Sequence, residues 1–397
     1  MTMHPSATLS APQAGRAPEP VPVAAPPSRL ASLDVFRGIT VAGMLLVNNP
    51  GSWSHVYDPL EHAKWHGWTP TDLIFPFFLF IVGVAMAFSF PAQAAKGAGR
   101  GELLRRAAKR SAVLVLLGLT LAAFPFYDLD PGTLRIPGVL QRIGAAFLLA
   151  SAVVLFTGAR AQALVAALLL LGYWAAMRLV PVPGHGAGSL EPDANLAAYV
   201  DRAVLGTAHL WKASRTWDPE GLLSTLPAVA TVLLGVLAGR WLRSDRAPAE
   251  KAVWMFLAGN AGLLLGLAWH ESFPINKNLW TSSYVVFTAG MALHFLAACY
   301  WLVDVKGWRR WAFPFVLFGV NAIAAFFLSG IMARLLTLVK WAGPAGDPVT
   351  LKGWIHQALF ASWLSPVNAS LAFAACFVLF WTGVMWVFYR RRIFIKV

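Results

Sequence analysis

Long apolar runs alternate with short polar segments along most of the chain. Ten runs approach the roughly 20 residues that an α-helix needs to cross a bilayer. They lie near 33–49, 70–91, 108–126, 138–157, 162–180, 221–242, 252–270, 279–303, 311–338 and 368–389. Because lipid offers no hydrogen-bond partners, such spans must satisfy their own backbone groups as helices, and the alternating segments of a membrane β-barrel do not occur. The pattern predicts an all-α fold, a polytopic transmembrane bundle of about ten spans.

Composition and charge agree with a chain dissolved mainly in lipid. The mean hydropathy is +0.60, and charged residues make up 13%, against roughly 25% in soluble domains. The formal net charge is +14, but the basic residues cluster in alternate loops, around 96–110, 240–251, 306–310 and 390–396. This is the positive-inside pattern, and it predicts that both termini are cytoplasmic. We therefore expect anionic membrane lipid, and no nucleic acid, as the partner of these loops.

Two parts of the chain are predicted. Residues 1–30 are rich in Ala and Pro and have no apolar core, which favours a disordered cytoplasmic tail over a signal peptide. Residues 31–397 form the transmembrane domain. Its outer loops are predicted at 50–69, 127–137, 181–220, 271–278 and 339–367. Within them we expect a short helix near 194–205 and an interfacial helix near 352–362, which Trp354 and Trp363 would hold at headgroup level.

The first outer loop carries the most informative chemistry. Its polar residues include Asn48, His62 and His66, and it runs directly into an apolar span that carries one carboxylate, Asp72. A carboxylate at the edge of the bilayer is costly, which makes it a functional candidate. A histidine exchanges a proton near neutral pH, and a neighbouring carboxylate can orient it. This combination predicts an acid–base or acyl-transfer site at a membrane surface.

Each of these residues also has a structural interpretation. The sequence Thr69-Pro70-Thr71-Asp72 is a helix start signal, so Asp72 could serve as a capping acid. The spacing alone does not choose between His62 and His66. Trp65 could anchor the loop at the interface or provide a platform on which a sugar ring stacks.

Further polar residues lie at the edges of the spans. Individually they are explained as caps, anchors or interhelical hydrogen bonds, but together they predict a polar cavity that opens outward. They are Arg135, Gln141, Arg142, Asp218, Glu220, Asn276, Lys277, Asn278 and Asn321. Asp34 and Arg37 open the first span as a helix-end ion pair. Cys299 and Cys376 lie inside spans and are expected to pack as small hydrophobes. Since His and Cys spacings match no metal site, we expect no metal.

Seven segments in order resemble the heparan-α-glucosaminide N-acetyltransferase family, as a short bacterial-type member. They are SLDVFRG (32–38), VNNPG (47–51), HAKWHGWTPTDLIFPFFLFIVG (62–83), LRIPGVLQRIG (134–144), WDPEGLLSTLP (217–227), PINKNLWTSSY (274–284) and FGVNAIAAFF (318–327). The family's catalytic histidine falls on His62, its asparagine on Asn48 and its acid on Asp72. The remaining matched positions are expected to bind substrate or cosubstrate: Trp65, Arg135, Gln141, Arg142, Asp218, Glu220, Asn276, Lys277, Asn278, Trp280, Ser282 and Asn321.

The resemblance implies transfer of an acetyl group from cytosolic acetyl-CoA to the amine of a terminal glucosamine, or to a related glycan, on the outer face. Basic residues near 240–251 or 306–310 would hold the nucleotide, and Asn48, Asn276 or Asn278 would stabilise the developing oxyanion. His62 would act as a general base or form an acetyl-imidazole. We expect a multi-pass protein of the bacterial cytoplasmic membrane, with its site toward the periplasm, and a possible homodimer.

A proton-coupled transporter of a sugar or small anion is the alternative. In it, His62 and Asp72 would form a proton relay. A relay needs ionisable groups at several depths, and apart from Arg142 and Arg334 the spans offer few.

Overall fold

The computed structural model describes residues 30–128, 130–343 and 347–395, and most of them are helical. The helices are α1 (Ala31–Asn48), α2 (Ile74–Ala94), α3 (Arg100–Ala123), α4 (Val139–Phe156), α5 (Ala159–Leu179), α6 (Leu196–Leu205), α7 (Thr225–Leu242), α8 (Pro248–His270), α9 (Ser282–Cys299), α10 (Phe313–Val320), α11 (Ala322–Leu338), α12 (Leu351–His356) and α13 (Pro366–Arg390). Two antiparallel hairpins complete these parts of the chain: β1 (Pro181–Val182) with β2 (Gly186–Ala187), and β3 (Lys340–Ala342) with β4 (Pro348–Thr350). The predicted all-α fold is confirmed. The predicted tail, except for Leu30, lies outside the described residues.

Eight helices in the described ranges are long and apolar enough to cross a membrane, or nine if one bent pair is a single span. The bent pair is α10 and α11, which meet at 85° around Asn321. The apolar run predicted at 311–338 is thus helical but broken at Asn321. Helix α3 also differs from its predicted range of 108–126, because it begins at Arg100 and its first half is strongly basic. Because of these charges, α3 is not one of the eight candidate membrane spans.

The described ends of the chain lie at the same end of the bundle. Near the start of α1, the Asp34 backbone packs against Gly319 of α10, where an added Cβ would meet the Asp34 carbonyl oxygen at 1.9 Å. Beyond α13, the Asn321 side chain donates to the Ile393 carbonyl (3.0 Å) and accepts from the Ile395 N–H (2.9 Å). We call this end the distal end. That it is cytoplasmic stays a prediction.

The other end of the bundle is formed by residues 49–73, 124–128, 130–138, 180–224 and 271–281, and we call it the site end. Helices α2 and α7 pack closely at the centre of the bundle and begin here. Gly83 lies against the Val232 carbonyl and Gly235 against the Phe80 carbonyl, where an added Cβ would come within 1.9 and 2.0 Å. These glycines let the two backbones approach. The paired helices therefore hold the loops that precede them, 49–73 and 206–224, beside one another.

The longer loops contain the elements that were predicted for them. Helix α6 confirms the helix expected near 194–205. Helix α12 and the π-helical segment Gln357–Ala361 that continues it confirm the helix expected near 352–362. Trp354 on this segment and Trp363 just after it are both exposed, as suits residues at a membrane interface.

Candidate active site

Asp72 lies in a short turn that leads into α2. Residues Pro70–Leu73 form one turn of 3-10 helix with Thr69 as its N-cap. The Thr69 N–H donates to Asp72 Oδ2 (3.0 Å), as expected for a capping box. The predicted capping role of Asp72 is thus confirmed, and its side chain is almost fully buried. A carboxylate held in this way has little freedom to rotate.

The same carboxylate holds His62. His62 Nδ1 lies 2.7 Å from Asp72 Oδ1, and the N–H of Ala63 donates to Oδ2 (3.0 Å). Because an ionised carboxylate only accepts, Nδ1 carries the proton and Nε2 keeps its lone pair. The imidazole is 47% exposed, whereas the Asp72 side chain is 1% exposed. The pair therefore presents a basic nitrogen at the site end, oriented from behind by a buried acid.

Lys277 completes this group from the loop before α9. Its ammonium lies 3.0 Å from Nδ1 and 3.3 Å from Nε2 of His62, and 3.5 Å from Asp72 Oδ1. Nearly equal distances to both ring nitrogens place Nζ over the face of the imidazole, outside the plane in which the ring forms hydrogen bonds. Burial lowers the pKa of Lys277, although the nearby Asp72 charge opposes this.

The loop that carries Lys277 is internally tied. The Asn276 side chain accepts from the Leu279 N–H (2.9 Å), and the Asn276 N–H donates to Thr281 Oγ1 (3.0 Å). Trp280 has a positive φ of 51°, a strained conformation for a bulky residue. Its fully buried indole donates to Thr231 of α7 (3.2 Å). These contacts set the direction in which Lys277 projects.

Tyr284 binds the backbone of Asp72, and the sequence analysis assigned no role to Tyr284. Its hydroxyl donates to the backbone carbonyl of Asp72 (2.5 Å), and its ring packs on Trp280 at 5.3 Å between centroids. Both residues lie in the segment PINKNLWTSSY. A polar aromatic one turn into an apolar span was the available signal.

A second charged cluster lies nearby, and its three residues are bonded to one another. Arg135 Nε donates to Asp218 Oδ2 (2.9 Å), and its Nη2 donates to Asp218 Oδ1 (2.7 Å) and Glu220 Oε2 (2.6 Å). Burial would lower the pKa of Arg135, but the two carboxylates raise it. The three predicted residues thus come together in one ion-pair network, in which the Arg135 guanidinium binds the Asp218 carboxylate through two hydrogen bonds.

Arg142 lies between the two clusters. It is fully buried, donates to the Gly221 carbonyl (3.0 Å) and to the Ser224 hydroxyl, and lies over the Trp280 ring at 5.2 Å. Arg142 therefore joins the start of α7 to the loop that carries Lys277.

His66 and Trp65 belong to the same loop as His62 but have other contacts. His66 Nδ1 lies 3.3 Å from the Asn276 amide nitrogen, and burial lowers the pKa of His66. Trp65 donates to the Leu190 carbonyl (3.0 Å) and packs edge-on against Trp217 at 5.0 Å. Of the two histidines left open by spacing, His62 is the one bonded to Asp72.

The remaining predicted residues lie outside this group. Gln141 donates to the Ile136 carbonyl (3.1 Å), and Ser282 donates to the Leu170 carbonyl in the bundle interior (2.7 Å). Within the described ranges, the side chains of Asn48, exposed at the end of α1, and Asn278 show no hydrogen bond. Asn321 was grouped with an outward-facing cavity. That placement is wrong, because Asn321 ties the C-terminal segment at the distal end.

The sequence analysis did not predict that two arginines near the distal end lie close together. Arg37 of α1 and Arg110 of α3 lie close enough for their charges to repel. Arg37 is bonded to Asp34 (3.2 Å) and to the Gly319 carbonyl (3.1 Å), and Arg110 lies over the Phe147 ring at 5.0 Å.

Comparison with known proteins agrees with the geometry. Residues 29–270 match the family model described as heparan-alpha-glucosaminide N-acetyltransferase, catalytic. The human protein of that name is 30% identical over 94% of this chain and 60% of its own length. The mouse protein is 29% identical over 93% of this chain and 61% of its own length. The chain thus spans about three fifths of the curated relatives that it matches.

Proposed function

The chain belongs to the heparan-alpha-glucosaminide N-acetyltransferase family, and on this premise we propose that it transfers an acetyl group from acetyl-CoA to the amine of a terminal glucosamine or a related amino sugar. The observation that carries the proposal is the bond between His62 and the buried Asp72. It leaves an exposed basic nitrogen at the mouth of an apolar bundle. Acetyl transfer to an amine needs such a base.

In the proposed reaction, His62 Nε2 accepts a proton from the sugar ammonium. The freed amine attacks the thioester carbonyl, so that the C–N bond forms and the C–S bond breaks. The second amine proton passes to the departing sulfur, CoA leaves as a thiol, and the proton on His62 is released to solvent. Asp72 keeps the proton of the imidazole on Nδ1 and stabilises the imidazolium that forms.

Lys277 would stabilise the tetrahedral intermediate. Its ammonium lies within 3.5 Å of both members of the pair, so a carbonyl oxygen held near His62 would develop its charge beside a cation. One such donor contributes roughly 3 kcal/mol. Asn48 remains a proposed donor through its match to the family's asparagine.

The acetyl donor would enter from the distal end. Its phosphates need cations, and the earlier candidates near 240–251 and 306–310 stand as proposals. The neighbouring charges of Arg37 and Arg110 are a further candidate, because they come from two helices that both lead toward the site end. The pantetheine arm is long and uncharged, so it would follow such helices inward.

The acceptor would approach through the loops of the site end. Trp65, Trp217 and Trp211 form an edge-on aromatic row, with centroids 5.0 and 5.6 Å apart. Aromatic faces of this kind bury the apolar faces of sugar rings. We propose that residues 181–220 contribute this acceptor surface, on the outer face of a bacterial cytoplasmic membrane.

The test is release of free thiol from acetyl-CoA by the purified chain with glucosamine as acceptor. Wild-type protein should release more than one equivalent of thiol only when the amino sugar is present, and His62→Ala should not. His66→Ala is the matched control, because His66 lies in the same loop without a bond to Asp72. Acceptor-independent sugar flux in vesicles without thiol release would instead favour the transporter.

Two routes remain for the transfer. In one the amine attacks the thioester directly, and in the other His62 Nε2 first takes the acetyl group. Protein incubated with radiolabelled acetyl-CoA and no acceptor separates them. Label retained on the peptide that contains His62 identifies the second route, and its absence identifies the first.

A further inference from the structure

One cavity lies away from the candidate active site, on the lipid-facing side of the bundle. It has a volume of about 720 Å³. Helices α7 and α8 form its walls and α9 its floor. Its lining is apolar along most of its length, with residues such as Leu237, Ala258 and Leu265. Helix α8 packs chiefly on α9, so the gap between α8 and α7 stays open.

Water is a poor occupant of this cavity. The volume would take roughly two dozen waters, and each of them needs two or more polar partners. The apolar walls do not supply such partners. Helix α8 is a candidate membrane span whose surface is largely unburied, so within a bilayer the surrounding hydrocarbon chains are the nearest apolar material.

One end of the cavity is charged. Arg246 and Glu250 line it at the start of α8, bonded to each other at 3.0 Å and both partly exposed. Trp241 and Trp254 line the same end, where aromatic residues suit the headgroup level. This end is distal, because the preceding helix α7 begins at the site end.

The dimensions suit one lipid leaflet. From Glu250 to Leu265 the helix rises about 22 Å at 1.5 Å per residue. Half of a bilayer's hydrocarbon core is about 15 Å. The cavity is thus long enough for an acyl chain and its glycerol linkage, with the charged pair at headgroup depth.

We propose that this cavity is a phospholipid site, with an acyl chain between α7 and α8 and a headgroup that carries both a phosphate and an amine. The phosphate binds Arg246 and the ammonium binds Glu250, so a zwitterionic ethanolamine headgroup complements the pair better than an anionic glycerol headgroup. The cavity does not include His62 or Asp72, and the proposal assigns Arg246, one of the basic residues near 240–251, to lipid and not to the nucleotide.

The test is native mass spectrometry of the delipidated full chain with phosphatidylethanolamine or phosphatidylglycerol of identical acyl chains. Wild-type protein should retain the ethanolamine lipid roughly tenfold better, as one charge-assisted hydrogen bond supplies. Ala258→Phe, which fills the cavity, should lose both lipids. Leu267→Trp, an exposed position of the same helix outside the cavity lining, should bind as wild type. If Ala258→Phe does not fold, Leu237→Phe on the opposite wall is a second variant that fills the cavity.

Glu250→Gln tests the headgroup separately. It should abolish the preference for the ethanolamine lipid while leaving binding of the glycerol lipid intact. Equal binding of the two lipids to wild-type protein, or unchanged binding to both filled variants, would overturn the proposal. So would a protein dimer that the filled variants alone disrupt, because the cavity would then be an interface between two copies.

Discussion

Two charged clusters at the site end differ in how completely they are satisfied. In the first, Arg135 donates three short hydrogen bonds to the carboxylates of Asp218 and Glu220. In the second, Asp72 is buried and fully bonded, but its partner His62 is 47% exposed and keeps one ring nitrogen without a bond in the ring plane. Both clusters contain a buried carboxylate, so burial alone does not separate them.

The difference shows how a paired cluster and a reactive cluster are recognised. In the Arg135 cluster the opposite charges are bonded to each other, so its removal is expected to affect stability. An acid that is held rigidly while its partner faces outward can move a proton without rearrangement of the protein. We therefore assign chemistry to the Asp72 cluster and loop positioning to the Arg135 cluster.

The largest expected effect comes from His62→Ala. Loss of a general base lowers the rate by roughly 10²- to 10⁴-fold, and the melting temperature should change little because the side chain is half exposed. Thiol release and a thermal melt of the same preparation measure both. If His62→Ala kept activity within a few fold of wild type, the Asp72 cluster could no longer be distinguished from the Arg135 cluster by a catalytic role.

Asp218→Ala should have the converse profile. It removes the bidentate partner of Arg135 and should lower the free energy of unfolding by about 3 kcal/mol, measured as a lower melting temperature. Glu102→Ala is the matched control, because Glu102 pairs with Arg106 on an exposed helix face, where a pair contributes less than about 1 kcal/mol. Equal melting temperatures for the two variants would contradict a structural role for the Arg135 cluster.

Lys277→Met sharpens the assignment within the reactive cluster. If its ammonium stabilises the oxyanion, kcat should fall by about 10²-fold with KM nearly unchanged. Lys277→Arg should restore part of the rate, since it restores the charge. A fall in melting temperature without a change in kcat would place Lys277 with the structural residues.

The smallest expected effect concerns Asp201, which lies next to the Arg135 cluster. Burial raises the pKa of Asp201 to about 6, against an opposing hydrogen bond from the Leu222 N–H. A raised carboxyl pKa contributes stability that is complete below the ordinary value near 4 and is lost as the pH rises through about 6. Asp201→Asn should therefore melt above wild type at pH 8, and this advantage should disappear toward pH 4. An advantage that does not vary with pH would contradict the shifted carboxyl.

Much of the architecture follows from the sequence, because the need to bury apolar runs and close backbone hydrogen bonds is local. The helical spans, the capping start at Thr69–Asp72 and the helices within the two long loops were predicted in this way. Local rules did not reveal the bend within the apolar run at 311–338, nor the partners of Asn321, which follow α13.

The sequence by itself determined the membrane bundle and the loop that carries the chemistry. Only the tertiary structure decided which charges meet. His62 and Lys277 are 215 residues apart, and Arg135 and Asp218 are 83 apart. Their meeting depends on how α2, α7 and α9 pack, and that packing fixes the relative height and rotation of the loops at one end of the bundle. The spacing of residues along the chain does not determine how the helices are rotated against one another. The hydropathy pattern within one helix, by contrast, does indicate which of its residues must be buried.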